Sequence, residues 1–406
     1  MPPTSPADES AATNSRRLVP RNSQSLLITT YSACLLFTIL AYFAVLIIAI
    51  FELLNLGGAL TSGLSHPNGY PILTALAALW VLFLLTRLAT HFWRCMLGLV
   101  TQRYDHLPDS ALGTLLPASV YPSLYAAVAE VGTLIHSPTP DEIRLTHQPD
   151  CYAVELRAFA ISTDRKLVLV IGMPQLEVLT QSELKVIIAH ELAHFGGGDT
   201  RLSVFVFRFL ESLRQAQQEM DGLWGRWIDP VSWLSWAYFH WFFLLSAPIR
   251  KRQELRADAQ SAEAFGGEFA ARTLMKDWLL ERKFKEAIGR YQQAKEQRPE
   301  FAAANLFRDF AAHFHELTPE GREYLERRLT EEERASFWDS HPTLRERMTS
   351  MRQYPARPEP EPLPARLLLP DFELLEFEMQ QVWQRESSRR LLDHVHRILD
   401  APSGRN

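Results

Sequence analysis

Cysteine is scarce in this chain. There are three, Cys34, Cys95 and Cys151, two of them in or beside apolar segments and none in a C-x-x-C spacing. A disulfide framework is therefore excluded as the source of stability, which suits a catalytic part in a reducing compartment. Charge is missing from two long stretches: no Asp, Glu, Lys or Arg lies between Arg21 and Glu52, and none between Glu52 and Arg87. A surplus of positive charge is missing as well. The 42 basic and 47 acidic residues leave a net charge of −5, which speaks against nucleic acid as a partner. No internal repeat is present. At 406 residues, core size does not limit folding: the chain can hold one large or two ordinary domains.

The uncharged stretches are the first positive signal. Residues 1–25, with their Pro, Ser and Arg, read as a flexible tail. Leu26–Phe51 is long enough to cross a hydrocarbon layer of about 30 Å as a helix. It is also longer than the roughly 7–15 apolar residues of a secretory signal, so it reads as a retained anchor. Gly57, Gly58, Gly63, Pro67, Asn68 and Gly69 mark a turn, and Pro71 to Leu97 reads as a second span. Arg16, Arg17 and Arg21 precede the first span, Arg87, Arg94 and Arg103 lie in or beyond the end of the second, and the loop between has no Lys or Arg. That asymmetry places both ends in the cytoplasm.

From about residue 101 the chain reads as globular through residue 353, with no clear period over 101–140. Strand-like stretches follow at 142–147, 152–156 and 166–171; the last is apolar, β-branched and stopped by Gly172 and Pro174. Thr180-Gln181-Ser182-Glu183 is a capping box that opens a helix. Residues 269–297 and 318–352 read as amphipathic helices. The prolines at 355, 358, 360, 362 and 364 form a stiff linker, and 372–399 reads as a last helix packing back on the domain. The expected fold is mainly α with a small β-sheet, an α+β zincin-like metalloprotease domain behind a two-helix transmembrane hairpin.

The segment that carries chemistry is His190-Glu191-Leu192-Ala193-His194. On a helix, residues four apart share a face, so both imidazoles can reach one ion. Glu191, beside the first histidine, can take a proton from a metal-bound water whose pKa zinc lowers towards about 7. A capped helix start lies ten residues upstream and a strand just before that, the context of a zincin, in which an edge strand aligns an extended substrate. A third histidine ligand at position 200 is excluded, because that residue is Thr200. Glutamates on later helices are left: Glu211, Glu219 and Glu254. Glu254 and Asp258 stand one helical turn apart, so one can bind metal while the other orients a ligand histidine.

Taken in order, His190–His194 with Asp199, then Glu254-x-x-Ala257-Asp258, then His341-Pro342 with Arg347, resemble the HtpX-type membrane zinc metalloproteases, a family that includes the CAAX prenyl proteases. The likeness implies His190, His194 and Glu254 as ligands of one zinc per chain, with Asp258 and Asp199 supporting them. It implies Glu191 as the catalytic base, and His341 and Arg347 as groups facing the substrate or the oxyanion. Family members carry Asn-Ala-Phe-Ala ahead of the edge strand. Here the corresponding run is Asp150-Cys151-Tyr152-Ala153 or Arg157-Ala158-Phe159-Ala160, and neither supplies the Asn. Asp150, Tyr152 and Ala153 are the substrate-binding candidates.

The family's two further spans between the histidines and the glutamate have only one counterpart here, Val231–Ala247. A single crossing would separate Glu254 from His194, and the charges over 201–223 argue against a second span there. Trp224, Trp227, Trp233, Trp236 and Trp241 crowd this region, so it reads as an interfacial helix beside the site. The functional expectation is an endopeptidase acting on membrane proteins in quality control, multi-pass in a bacterial inner membrane, with its catalytic domain cytoplasmic. Its partners are then protein or peptide substrates and the lipid bilayer, with room for a homo-oligomer. The alternatives are a processing protease for one dedicated substrate, or a non-catalytic zinc scaffold; retention of Glu191 argues against the scaffold.

Overall fold

The computed structural model describes residues 21–63, 71–100, 112–156, 166–195, 209–217, 229–297, 305–332 and 342–399. In chain order the elements are α1 (Arg21–Gly63), α2 (Pro71–Val100), β1 (Thr114–Leu116), α3 (Pro122–Leu134), β2 (Glu142–Thr146), β3 (Tyr152–Leu156), β4 (Lys166–Gly172), α4 (Met173–Val178) and α5 (Gln181–Ala193). They continue with α6 (209–217), α7 (Pro230–Phe265), α8 (Gly267–Gln297), α9 (Leu306–His315), α10 (Pro319–Glu332), α11 (Leu344–Met351) and α12 (Phe372–Leu399). The chain divides into two compact units, Met1–Leu97 with Phe209–Trp241, and Gly98–Arg208 with Phe242–Asn406. The fold is mostly helical with one small sheet, as the sequence patterns predict.

Within the first unit, Ala33–Ser62 and Pro71–Gly98 are long and apolar enough to cross a membrane. Their outward side chains are large and apolar: Phe37 is 72% exposed and Ile72 75%. Water would penalise such a surface at roughly 25 cal/mol per Å², whereas hydrocarbon would not. α1 runs straight through Gly57 and Gly58, where a turn was expected. Leu and Ala neighbours favour helix enough to absorb a cost of about 1 kcal/mol per glycine. Its last turn is closed by Thr61 Oγ1 and Ser62 Oγ, which donate to the carbonyls of Gly58 (2.9 Å) and Ala59 (2.8 Å).

The interior of this unit is aromatic and polar. Tyr42 of α1 stacks on Tyr238 of α7 with centroids 4.0 Å apart, Phe209 of α6 meets Tyr42 edge-on at 5.9 Å, and Tyr238 donates to the Thr38 carbonyl at 2.9 Å. Arg87 of α2 donates through Nε to Asp229 at 2.7 Å, in a pair buried on both sides. Asp229 also accepts from the N–H of Val231 (3.0 Å) and the hydroxyl of Ser232 (3.0 Å), which starts α7. The first part of the tryptophan-rich segment therefore has a packed face (Val231, Ser232, Ser235) and an exposed one (Trp233, Trp236, Trp241). Residues 209–217 are helical too, with Phe209, Leu213 and Ala216 buried in this unit and Glu211 paired to Arg214.

The second unit is built on a four-stranded sheet of order β1-β2-β4-β3. β1 pairs antiparallel with β2, β2 parallel with β4, and β3 antiparallel with β4. β4 has both faces covered, which explains its unbroken run Leu167–Ile171, buried throughout. The strand just ahead of the metal helix is therefore internal, and the edges of the described sheet are β1 and β3. α3, α5, α8, α9 and α12 contribute to one core with the sheet, through Leu124, Ile188, Phe284, Phe310 and Met379 among others.

β1 and α3 lie in the region without a clear period. β1 has three residues, and α3 opens at Pro122 with no side-chain cap. The single helix expected over 318–352 is two, α10 and α11, with 333–341 outside the described residues. The proline-rich segment is a strap. The Gln181 N–H donates to the Leu363 carbonyl (2.7 Å) and the Ala365 N–H to the Leu179 carbonyl (2.9 Å), gripping both sides of Thr180. A 3-10 turn at Ala365–Leu368 then leads into α12.

Candidate metal centre

α5 is positioned before it is functional. The Thr180 hydroxyl accepts from the Glu183 N–H at 3.2 Å and the Glu183 carboxylate accepts from the Thr180 N–H at 2.8 Å, so both capping-box bonds form. Leu184, Ile188 and Leu192 bury one side of the helix. Lys276 of α8 donates to Glu183 at 2.7 Å and Ser137 donates to the Leu192 carbonyl at 2.6 Å, which ties both ends to neighbouring elements. The rings of His190 and His194 are then held edge to face, with centroids 5.0 Å apart.

α7 brings the third group. Ligand atoms of His190, His194 and Glu254 all lie within 4.8 Å of one another, and this trio is the metal-competent cluster found among the described residues. Glu254 Oε2 is 3.5 Å from His190 Nε2, and Asp258 Oδ1, one turn on, is 3.0 Å from His190 Nδ1. Asp258 is wholly buried and takes two bonds from Arg347 of α11, Nε at 2.8 Å and Nη2 at 2.7 Å. A second capping box, Thr343 with Glu346, starts α11 and sets Arg347 on its first turn.

Charge makes sense of this packing. Burial opposes a charge on His190, yet hydrogen bonds to Asp258 and Glu254 carry its pKa up to about 9. The carboxylates thus call for positive charge at this spot. With Nδ1 engaged by Asp258, Nε2 is the nitrogen left for a metal. His194 goes the other way: burial and then His190 lower it to about 4, so it presents a neutral imidazole. Two imidazoles and one carboxylate suit zinc and leave a fourth position open, so the donor set fits the ion the sequence implies.

Glu191 stands beside this cluster without belonging to it. Burial pushes its carboxyl to about 7, His190 works against that, and the Ala153 N–H hydrogen-bonds to it. The edge strand β3 and the candidate base therefore touch. Asp150 and Tyr152 flank the start of the same strand, Asp150 exposed and Tyr152 half-buried.

The structure thus gathers His190, Glu191, His194, Glu254, Asp258, Arg347 and Ala153. Asp199, Glu219 and His341 lie outside the described residues. Glu211 does not join the cluster; it accepts from Arg214 and Gln215 on its own helix. Arg347 is only 7% exposed; its Nε and Nη2 donate to Asp258, Nη2 also lies 3.3 Å from His190 Nε2, and its Nη1 is 3.5 Å from Glu254 Oε2, at the metal cluster. Asp277 escaped the sequence reading. Burial lifts its carboxyl to about 7, Gln175 donates to it at 3.3 Å, and the charge of Glu191 adds to the shift. Nothing local in the sequence marks it.

A family model, Peptidase family M48, matches residues 126–354, more than half of the chain and a range that contains every residue of this cluster. No curated protein and no solved structure matches the chain. The chain belongs to peptidase family M48, the metallopeptidase family of the HtpX and CAAX-protease type.

Proposed function

We propose that this chain is a membrane-anchored zinc endopeptidase that cleaves membrane or membrane-proximal proteins in quality control. The observation that carries the reading is the meeting of His190, His194 and Glu254 ligand atoms within 4.8 Å, with Glu191 alongside. One zinc per chain would be held by those three residues. When bound, zinc supplies Lewis acidity and a water acidic enough to ionise near neutral pH.

The chain's own residues do the rest. Glu191, already poised near neutrality by burial, accepts the proton of the attacking water and returns it to the leaving amine. The Ala153 N–H orients the Glu191 carboxylate, and the edge of β3, which pairs only with β4 among the described residues, aligns the substrate backbone as an added strand. Asp258 holds the His190 ring through Nδ1, and Arg347 holds Asp258, so Arg347 is a positioning residue. Asp199 and His341 keep the roles the family likeness implies, near the ligands and facing the substrate. Two apolar helices support anchoring, and the arginine asymmetry supports a cytoplasmic peptidase unit.

The test compares wild type with Glu191→Gln in membranes, identifying cleaved proteins by mass spectrometry. Membrane proteins that accumulate uncut only in the variant support the reading. Identical peptide profiles would refute it, and a single accumulating substrate would favour dedicated processing.

A further inference from the structure

The first unit holds a polar cluster that the peptidase reaction does not use. His91 and Cys95 stand four residues apart on α2, on one face of the helix, and both are 0% exposed. Tyr42 of α1, also buried, brings its hydroxyl to His91 Nε2, and Cys95 Sγ lies 3.6 Å from the same nitrogen. The phenol is held there by stacking on Tyr238 and by edge contact with the His91 ring, centroids 6.1 Å apart. Both helices are apolar enough to cross a membrane, and ionisable side chains facing the interior of such a segment mark a functional site by default.

Hydrogen bonding alone satisfies this cluster badly. An imidazole Nε2 has one lone pair or one proton, so it can bond the phenol or the thiol but not both. His91 Nδ1 is buried with no hydrogen-bond partner among the described residues, and so is Ser235 Oγ, one turn before Tyr238 on α7. Arg87, one turn before His91, is committed to Asp229. Nitrogen, sulfur and oxygen converging from two helices are instead donors for a thiophilic divalent ion; the third donor is a phenol rather than a His, Cys or carboxylate. Tetrahedral zinc, with Zn–N of about 2.0 Å and Zn–S of about 2.3 Å, sets two such ligands roughly 3.5 Å apart, close to the 3.6 Å between His91 Nε2 and Cys95 Sγ. Charge agrees: a thiolate and a phenolate beside a neutral imidazole cancel a divalent ion, which leaves no net charge in an apolar layer.

We propose that His91, Cys95 and Tyr42 form a second zinc site, inside the apolar unit, that clamps α2 to α1, with the Ser235 hydroxyl in the fourth position. Binding exchanges two protons for the ion: the Cys95 thiol and the Tyr42 phenol each release one to solvent, and the metal takes the place of the Tyr42–His91 hydrogen bond. Four protein ligands leave no open position, which is the pattern of a structural zinc rather than a catalytic one. The site therefore fastens the apolar helices and adds no second reaction.

The experiment strips the full chain of metal in detergent, reloads it with cobalt and reads the thiolate-to-cobalt charge-transfer band, which a site of two histidines and a glutamate cannot give. Wild type should show the band. Cys34→Ser with Cys151→Ser should keep it, and so should His194→Ala. Cys95→Ser should abolish it, and Tyr42→Phe, which keeps the stacked ring, should weaken cobalt binding read at this band by at least about tenfold. No band in wild type overturns the proposal whether or not any variant folds, and makes the cluster an ordinary hydrogen-bond network. A band that survives in folded Cys95→Ser, or that is lost with Cys34 and Cys151, overturns it as well. The band is read with His194 present or removed, so the outcome is independent of the peptidase reading.

Discussion

At the residue scale, Glu191 and Arg347 do different kinds of work and should fail differently. Glu191→Gln removes the proton acceptor but keeps the shape and the Ala153 contact, so zinc content should hold while proteolysis falls by about 10²-fold or more. Activity within about tenfold of wild type would mean that another base acts. Arg347→Lys keeps the charge but loses the two-pronged grip on Asp258. Zinc affinity measured against a chelator should drop by about 10–100-fold, as for other residues that orient a ligand histidine. An unchanged affinity would return Arg347 to the substrate. The histidine pair was legible because i, i+4 spacing on a helix is a local property, whereas Glu254 was singled out from Glu211 and Glu219 only by the family likeness. The closing of Arg347 on Asp258 was not, since the two are 89 positions apart and only α11 docking brings them together.

Elements carry the next level of prediction. Thr180→Ala breaks the capping box of α5 while leaving the backbone bonds of the strap in place. It should destabilise the peptidase unit by about 1 kcal/mol in denaturant unfolding, with Thr180→Ser recovering most of the loss. In the first unit, Asp229→Ala strands the buried Arg87 and removes the start of α7. Breaking a buried pair on one side costs about 3–5 kcal/mol, so the melting temperature in detergent should fall sharply. A shift within error would show the pair to be solvated. Periodicity and capping marked α5, β4 and α12 in advance. β1 and α3 escaped because a three-residue strand exists only by pairing with β2, and α3 lacks a side-chain cap.

For the whole molecule, the aromatic segment at the start of α7 carries the prediction that concerns a membrane boundary. Its packed face lies on α1 through Tyr238, while Trp233, Trp236 and Trp241 look outward. If those indoles sit at the membrane boundary, Trp233→Ser with Trp236→Ser should weaken cleavage of membrane substrates more than of a short soluble peptide, with zinc content unchanged. Equal loss on both would make the segment ordinary core. Orientation is tested by single cysteines at positions 65 and 110 in a background without the native three. An impermeant thiol reagent should label the first and spare the second in intact cells, and the reverse pattern would invert the anchor.

The sequence by itself determined what depends on neighbours along the chain. Two uncharged runs demand hydrocarbon or a very large core, a capped helix presents His190 and His194 on one face, and the order of three motifs marks the peptidase family. Tertiary structure decided what depends on distant groups meeting. It put the internal strand β4 ahead of the metal helix with β3 at an edge of the described sheet, and set Arg347 against Asp258 and Glu254. Local periodicity reports which face of an element is apolar, but the partner of a buried charge is chosen only when elements dock, because only then does desolvation make pairing compulsory.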